Sequence, residues 1–94
     1  MHLVCIVCDH VLDEAVHGLL AKLEVDRHVK VDRTQGSWRE KHLCTHVWPG
    51  EYHTIFTAVP ESKLQVLQDG VAELRRSYPA DEVWAWTVPG ANTI

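Results

Sequence analysis

The sequence predicts an α+β fold, in which an antiparallel four-stranded sheet carries two helices on one of its faces. Four segments have the alternating or continuous apolar character of strands, and two repeat apolar residues at helical spacing. Along the chain these segments are ordered strand, helix, strand, strand, helix, strand. Because the chain has 94 residues and no repeat of fixed period, we expect residues 1–94 to form a single domain.

The first half of the chain contains one strand–helix–strand unit. Residues 2–8 are apolar at both alternate sets of positions, as in a strand that is buried on both faces. Asp9 is a candidate helix cap, and apolar residues between Leu12 and Leu23 then recur three and four positions apart. Residues 28–33 alternate between polar and apolar side chains, which predicts a half-exposed strand.

The second half repeats this order after a long excursion. Residues 36–50 follow neither period for most of their length, although a short strand is expected within 43–48. Residues 52–59 are mostly apolar or threonine on both faces and form the third predicted strand. A helix with one apolar stripe then runs from Pro60 until Tyr78-Pro79 closes it, and residues 82–88 form the fourth strand.

This order of elements predicts the ferredoxin-like βαββαβ plait. Two right-handed crossovers place both helices on the same face of one sheet. The first, third and fourth strands are nevertheless apolar on both faces, and two helices can cover only one face. A large apolar face in contact with water is unfavourable, so we expect other copies of the chain to cover it. The sequence therefore predicts a homo-oligomer.

Charge and motif content exclude several classes of function. Nine Lys and Arg against 13 Asp and Glu give a formal net charge of −4, which argues against nucleic-acid binding. No apolar run is long enough to span a bilayer and no signal-peptide pattern opens the sequence, so we expect a cytoplasmic protein without membrane insertion. No nucleophile motif, glycine-rich nucleotide motif or acid pair is recognisable, so we do not expect an enzyme.

Four segments resemble the PII and CutA signalling superfamily. Residues 31–36 (VDRTQG) are similar to the end of the second strand and the start of the PII T-loop, and residues 45–50 (THVWPG) are similar to the return segment of small PII-like proteins. Residues 59–62 (VPES) resemble the strand-to-helix junction of both families, and residues 78–83 (YPADEV) resemble the stretch before the last CutA strand. On this resemblance we interpret residues 36–50 as a short T-loop.

The resemblance to PII nitrogen regulatory proteins implies a signalling protein that assembles as a homotrimer. It also implies a small effector in the clefts between subunits, with an adenine nucleotide as the candidate, and a target protein that contacts the 36–50 loop. The candidate effector-binding residues lie at the loop base and in the segment where PII proteins hold phosphates: Gln35, Gly36, Ser37, Arg75 and Arg76.

One departure from the PII pattern concerns this phosphate segment. PII proteins use a Gly- and Lys-rich loop there, whereas residues 75–81 (RRSYPAD) contain no glycine that would let backbone amides approach a phosphate. Arg75 and Arg76 supply positive charge, which Asp81 and Glu82 partly cancel. A phosphate site in this chain would therefore be built differently.

A candidate metal site lies in the segment HLCTH. In an extended chain His42, Cys44 and His46 project from the same side, about 7 Å apart, and two imidazoles with a thiolate suit zinc or copper. The alternative interpretation is that a chain with seven His collects them by chance and that Cys44 packs as a small hydrophobe. The metal interpretation leads to the alternative function, a CutA-like or metal-responsive protein.

Tryptophan is unusually frequent in this chain, with four residues. Trp38 and Trp48 lie in or at the edge of the polar excursion, and we expect a partner, a neighbouring subunit or a ligand to cover them. The first of these makes them candidate partner-docking residues for a target protein. Trp84 and Trp86 share one face of the last strand. They either stack a ligand or fill the helix-facing core or a subunit interface, and we favour the structural roles.

Cys5 and Cys8 lie three positions apart on the first predicted strand. Residues at this spacing point to opposite faces, which disfavours both a disulfide and a shared metal. We therefore expect both to be core thiols.

Overall fold

The structure is a computed structural model that describes residues 1–25, 27–34, 37–38, 41–42, 52–92 and 94. Six strands and two α-helices occur in these ranges, and a short 3₁₀ turn, His10–Leu12, leads into the first helix. The elements are β1 (His2–Asp9), α1 (Asp13–Lys22), β2 (His28–Thr34), β3 (Ser37–Trp38), β4 (Lys41–His42), β5 (Tyr52–Val59), α2 (Glu61–Ser77) and β6 (Val83–Pro89).

Four of the strands form one sheet in the order β2-β5-β1-β6. Every neighbouring pair is antiparallel, and β1 pairs with β5 over its whole length, from His2 opposite Val59 to Asp9 opposite Tyr52. Each helix connects two strands that are separated by one other strand, as right-handed crossovers require. The predicted ferredoxin-like fold is therefore confirmed.

The start of the first helix differs from the prediction. Asp9 precedes the 3₁₀ turn rather than α1, and its side chain makes no capping hydrogen bond. The helix begins at Asp13, which together with Glu14 places two carboxylates in the first turn. Negative charge there is stabilised by the unpaired N–H groups and the dipole at a helix N-terminus.

A second, two-stranded pairing lies within the excursion. Ser37 of β3 pairs with His42 of β4, and Trp38 pairs with Lys41. The short strand expected within 43–48 falls outside the described residues, so it stays a prediction.

The hydrophobic core lies between one face of the sheet and the two helices. Alternate residues of β1 (Val4, Ile6 and Cys8) are buried because the pleat points them towards the helices. Each fully buried aliphatic side chain of this kind stabilises the fold by about 1.5–3 kcal/mol. The remaining members of the buried cluster are Leu12, Val16, Leu20, Ile55, Val59, Leu67, Val71 and Val83.

The two helices approach each other closely at Gly70 of α2. A Cβ atom at this position would lie 2.5 Å from a methyl carbon of Leu19 on α1. The missing side chain therefore lets α2 lie against α1 while both helices cover the same face of the sheet.

The opposite face of the sheet is apolar and, within the described ranges, no helix covers it. Cross-strand pairing brings Phe56, Cys5 and Trp86 side by side across three strands, and Leu3 lies beside Val88 in a neighbouring row. Phe56 is 40% exposed and Trp86 is 51% exposed. The expectation that the strands are apolar on both faces while the helices cover only one is thus confirmed. We call the apolar face that contains Leu3, Cys5, Phe56, Trp86 and Val88 the bare face.

The position of the cysteines and of the last-strand tryptophans follows from the same alternation. Cys8 is a core residue as predicted, whereas Cys5 is half-buried on the bare face and does not belong to the core. Trp84 and Trp86 are also on this face, so the helix-facing core is excluded as their location. No helix in the described ranges has the length and apolar character needed to cross a membrane.

Candidate functional site

The predicted effector residues are described to different extents. Gln35 and Gly36 lie outside the described residues, and Ser37 is placed by its backbone at the start of β3. Arg75 and Arg76 occupy the last turn of α2, where positive charge is favourable at a helix C-terminus.

Arg75 links the end of α2 to the start of β6. Its Nε donates a hydrogen bond to the backbone carbonyl of Val83 at 3.1 Å, and its guanidinium carbon lies 5.4 Å from the centre of the Trp84 ring. The indole N–H of Trp84 donates in turn to a Glu82 carboxylate oxygen at 3.2 Å. Arg75 therefore has a structural role beside the predicted effector role, since it uses one of its five donors and one face of its plane within the protein.

Arg76 has an acidic partner on the helix surface. Its Nε and Nη2 donate to one carboxylate oxygen of Glu73, at 3.1 and 2.5 Å, and the Ser77 hydroxyl donates to the other oxygen at 3.3 Å. The hydrogen bond and charge of Arg76 lower the pKa of Glu73. An anionic ligand would therefore compete with Glu73 for this guanidinium.

The predicted metal and docking residues are mostly outside the described ranges. His42 is placed by its backbone in β4 and Trp38 in β3, whereas Cys44, His46 and Trp48 are not described. Among the residues that the structure describes, no group of three or more His, Cys, Asp or Glu side chains is arranged to hold a metal ion. The metal site stays a prediction.

The structure places a charged cluster on the helix-covered face, where β2 ends and β5 begins. The Asp13 carboxylate at the start of α1 accepts hydrogen bonds from His53 Nδ1 on β5 at 2.8 Å and from Lys30 Nζ on β2 at 3.3 Å. His17 Nδ1, one turn along α1, donates to the Asp13 backbone carbonyl at 2.8 Å. One carboxylate thus connects the first helix to two strands of the sheet.

These contacts perturb the acid–base properties of the cluster. Partial burial by itself would raise the pKa of Asp13, but hydrogen bonds from His53 and Lys30, together with the charge of His17, lower it. Desolvation by itself would lower the pKa of Lys30, but the hydrogen bond and charge of Asp13, and then Asp32, raise it. Asp13 and Lys30 are therefore held in their charged forms around neutral pH.

A β-bulge lies in the same corner of the sheet. Asp32 and Arg33 of β2 both lie opposite His53 of β5, and Arg33 has a φ of 56°, in the left-handed region that side chains other than glycine seldom adopt. His53 Nε2 is 3.7 Å from an Asp32 carboxylate oxygen. The regular pairs on either side of the bulge join Val31 to Thr54 and Thr34 to Tyr52.

An open pocket of about 470 Å³ lies beside this cluster. Its lining mixes carboxylates with imidazoles and one guanidinium, which suits a polar or charged ligand rather than an apolar one. The lining residues are His10, Val11, Asp13, Glu14, Asp32, Arg33 and His53. Sequence reasoning missed this site, although the alternation of residues 28–33 already places Lys30 and Asp32 on one face of a strand.

The buried thiol next to this cluster is unreactive. Burial raises the pKa of Cys8 to about 12, and the negative charges of Asp13 and Asp9 contribute to the increase. Because the thiolate is the reactive form, Cys8 is neither a nucleophile nor a ready metal ligand at neutral pH.

Comparisons with known proteins find similarity at the level of structure only. No protein-family model matches the chain, and no curated protein matches it. The chain is similar to the structure of CPII bound to ADP and bicarbonate from Thiomonas intermedia K12, with a TM-score of 0.73 and 18% identity over 93% of this chain and 84% of that one.

Two further solved structures share this architecture. A putative PII-like signalling protein from Thermus thermophilus has a TM-score of 0.68 and 18% identity over 93% of this chain and 83% of that one. A DUF3240 family protein from Shewanella baltica has a TM-score of 0.66 and 14% identity over 99% of this chain and 94% of that one.

These likenesses confirm the PII part of the predicted resemblance at the level of fold. None of the three structures is a CutA protein, so the CutA part stays a prediction. Both PII-like structures match over 93% of the chain, so the four-stranded sheet with its two helices has the PII-like fold.

Proposed function

We propose that this chain is a non-enzymatic PII-like regulatory protein that assembles as a homotrimer and binds an adenine nucleotide in the clefts between its subunits. The PII-like fold supports this proposal. So do the structural neighbours, since CPII has been solved with ADP and bicarbonate and also with ADP, AMP and bicarbonate. On this proposal residues 1–94 work as one cytoplasmic domain.

The bare face is the single observation that carries the proposal. Its aromatic and aliphatic side chains form continuous rows across the strands, among them Phe56, Trp86 and Leu3, and each of these three is at least 40% exposed. Exposed apolar patches of this kind mark interaction surfaces in soluble proteins. When copies of the same chain pack on this face, each copy shields from water the apolar surface that the two helices leave exposed.

The effector cleft is proposed at the end of the sheet where β2 stops and β6 starts. Residues 35–37 follow the end of β2 directly, and Arg75 and Arg76 lie just before the start of β6. The end of β2 and the start of β6 lie at the same end of the sheet, on its opposite edges, because Thr34 pairs with Tyr52, Tyr52 pairs with Asp9, and the Asp9 N–H donates to the Glu82 carbonyl at 2.9 Å. Gln35, Gly36 and Ser37 would then face the ligand together with the arginines.

On this proposal the protein signals by binding a target protein. Residues 36–50 correspond in this proposal to a short T-loop, and Trp38 and Trp48 are the side chains expected to meet the target protein. The pairing of β3 with β4 lies within this loop.

Native mass spectrometry and calorimetry test the proposal. We expect untagged protein to be a trimer and to bind ADP, with or without bicarbonate. Arg76→Gln should weaken ADP binding about ten- to a hundred-fold, as expected for the loss of a hydrogen bond to a charged group. Arg27→Gln is the matched control, because Arg27 lines a different pocket at the opposite end of the sheet.

Two results would contradict the proposal. One is a monomer that binds neither ADP, AMP nor ATP. The other is an equal effect of the two arginine substitutions, which would place the nucleotide away from the end of α2.

A further inference from the structure

One imidazole stands between two carboxylates of the charged cluster. His53 Nδ1 lies 2.8 Å from an Asp13 carboxylate oxygen on α1, and His53 Nε2 lies 3.7 Å from an Asp32 oxygen on β2. Lys30 Nζ is shared by the same two carboxylates, at 3.3 Å from Asp13 and 3.5 Å from Asp32. The His53 side chain is only 17% exposed, so water shields these charges incompletely.

The two protonation states of His53 interact differently with these neighbours. A neutral ring that donates through Nδ1 carries a lone pair on Nε2, and this lone pair faces the Asp32 carboxylate. With Asp13 and Asp32 negative and Lys30 positive, this group has one net negative charge. A proton on Nε2 makes both ring nitrogens donors and cancels that charge. Histidine is the side chain whose protonation ordinarily changes close to neutral pH.

The same imidazole is the cross-strand neighbour of the β-bulge. Asp32 and Arg33 both oppose His53, and Arg33 has a left-handed φ. Such a backbone conformation persists only where contacts with neighbouring residues stabilise it. Asp32 is the bulge residue to which a charged His53 would donate a hydrogen bond. A bond between them would join the bulge to β5 and, through Asp13, to α1.

We propose that His53 is a proton-controlled clamp for the β2 bulge, which in its charged form donates to Asp13 and Asp32 at once and fastens the end of the β2–β5 pair to α1. Lowering the pH from 7.5 to 5.5 then stabilises the pairing of β2 with β5 at the bulge. The device needs no ligand and no second subunit.

Two other histidines of this region bear on the same test: His17 on α1, whose Nδ1 also lies 3.5 Å from an Asp13 carboxylate oxygen, and His28 on β2. The rings of His17 on α1 and His28 on β2 meet edge-on, with their centres 5.0 Å apart. If both are charged they repel, which loosens α1 from the start of β2. His28 pairs with Thr57, at the far end of β2 from the bulge, so a substitution of His28 changes the histidine pair without removing a contact of the clamp.

The remaining ionisable groups around the clamp come from β1, from the turn after it, from α1 and from β2. From β1 and the turn after it, Asp9 lies 3.2 Å from His10, and the Cys8 thiol stays protonated. Glu14 on α1 and Arg33 on β2 line the adjacent pocket.

Hydrogen exchange of single backbone amides, followed by NMR, tests the clamp. Rates are measured at pH 5.5 and 7.5 and divided by the intrinsic rate at each pH. We expect the amides of residues 31–33 and 53–54 to be about two- to five-fold better protected at pH 5.5, the range of a partly exposed ion pair. His53→Gln should abolish this response, and Asp32→Asn should reduce it while keeping the Asp13 hydrogen bond.

His28→Gln is the matched control, since it makes the same substitution on the same strand pair without touching Asp32. It should keep the response at the bulge and remove the opposite response at the start of β2. The clamp is overturned if wild-type protection is the same at both pH values, or if both His53→Gln and Asp32→Asn respond like the wild type. A response lost in His28→Gln also overturns it, because the histidine pair would then be responsible.

The clamp also bears on the proposed effector cleft, because residue 35 follows the bulge almost directly; this consequence rests on the proposed function. ADP affinity should then change with pH in the wild type and not in His53→Gln. The exchange measurement needs no nucleotide, so a failed clamp and a failed nucleotide proposal give different results.

Discussion

Replacing Trp86 with lysine tests the bare face most directly. The side chain is 51% exposed in the single chain, and half of the roughly 250 Å² that a tryptophan can bury is about 125 Å². At about 25 cal/mol per Å², covering this area with another subunit contributes about 3 kcal/mol per protomer. Trp86→Lys removes this contribution and places a charge in the contact.

The expected result is a loss of assembly without a loss of folding. A change of about 3 kcal/mol corresponds to a roughly hundred-fold weaker subunit association, so Trp86→Lys should be a monomer at micromolar concentration in light scattering. The chain should still fold, because Trp86 contributes little to the helix-facing core. Circular dichroism and the thermal midpoint of the isolated monomer check this point.

Val66→Lys is the matched control for this experiment. Val66 is 52% exposed, like Trp86, but lies on α2 rather than on the bare face. It should leave the oligomer unchanged. If Trp86→Lys keeps the wild-type mass at micromolar concentration, the bare face is not the assembly surface and the reasoning fails.

Four further outcomes follow from the described contacts. Asp13→Asn should lower the free energy of unfolding by about 1–2 kcal/mol at pH 7, because the hydrogen bonds to the carboxylate are lost. Folding lowers the pKa of Asp13, so its contribution is present above the unfolded value near 3.9 and is lost as pH falls through the folded value. Urea titrations between pH 7 and 3 should therefore show a steeper loss of stability in the wild type than in Asp13→Asn, and parallel curves would contradict this. Ile6→Ala should cost about 2–5 kcal/mol in chemical denaturation, because Ile6 is fully buried between sheet and helices; a cost under 1 kcal/mol would mean that the core collapses around the cavity. Iodoacetamide at pH 8 should leave Cys8 unmodified in the folded protein, as peptide mass spectrometry can show, and rapid labelling would refute its raised pKa. Removal of Cys44 and His46 together should abolish any metal retained by protein that was purified without chelator, and unchanged metal stoichiometry would end the metal hypothesis.

The local features of the fold were predictable because each depends on residues that are neighbours in the chain. The alternation in residues 2–8 and the helical spacing after Pro60 correspond to β1 and α2 of the structure. The apolar character of both alternations in β1 also predicted a face without helices, and the exposed fractions of Leu3 and Phe56 agree with it. Burial preference and pleat geometry suffice for these conclusions.

The charged cluster was not predictable in the same way. Asp13 and His53 are 40 positions apart, and the right-handed crossover of α1 brings them within hydrogen-bonding distance. The partners of Asp32 depend on the β-bulge, and nothing in the residue types of β2 required an extra residue at that point. A shift of one position would have turned Asp32 to the other face of the sheet.

For the arginines of the predicted effector segment, the position could be predicted and the contacts could not. The apolar stripe of the second helix placed them at its end, but it did not indicate their partners. Arg75 stacks on Trp84 and binds the Val83 carbonyl because α2 returns antiparallel to β6. Sequence periodicity therefore determined which elements form, in which order and with which faces apolar, since these are properties of neighbouring residues. The tertiary structure decided which charges meet, because cross-strand register and helix placement join residues that are far apart in the chain.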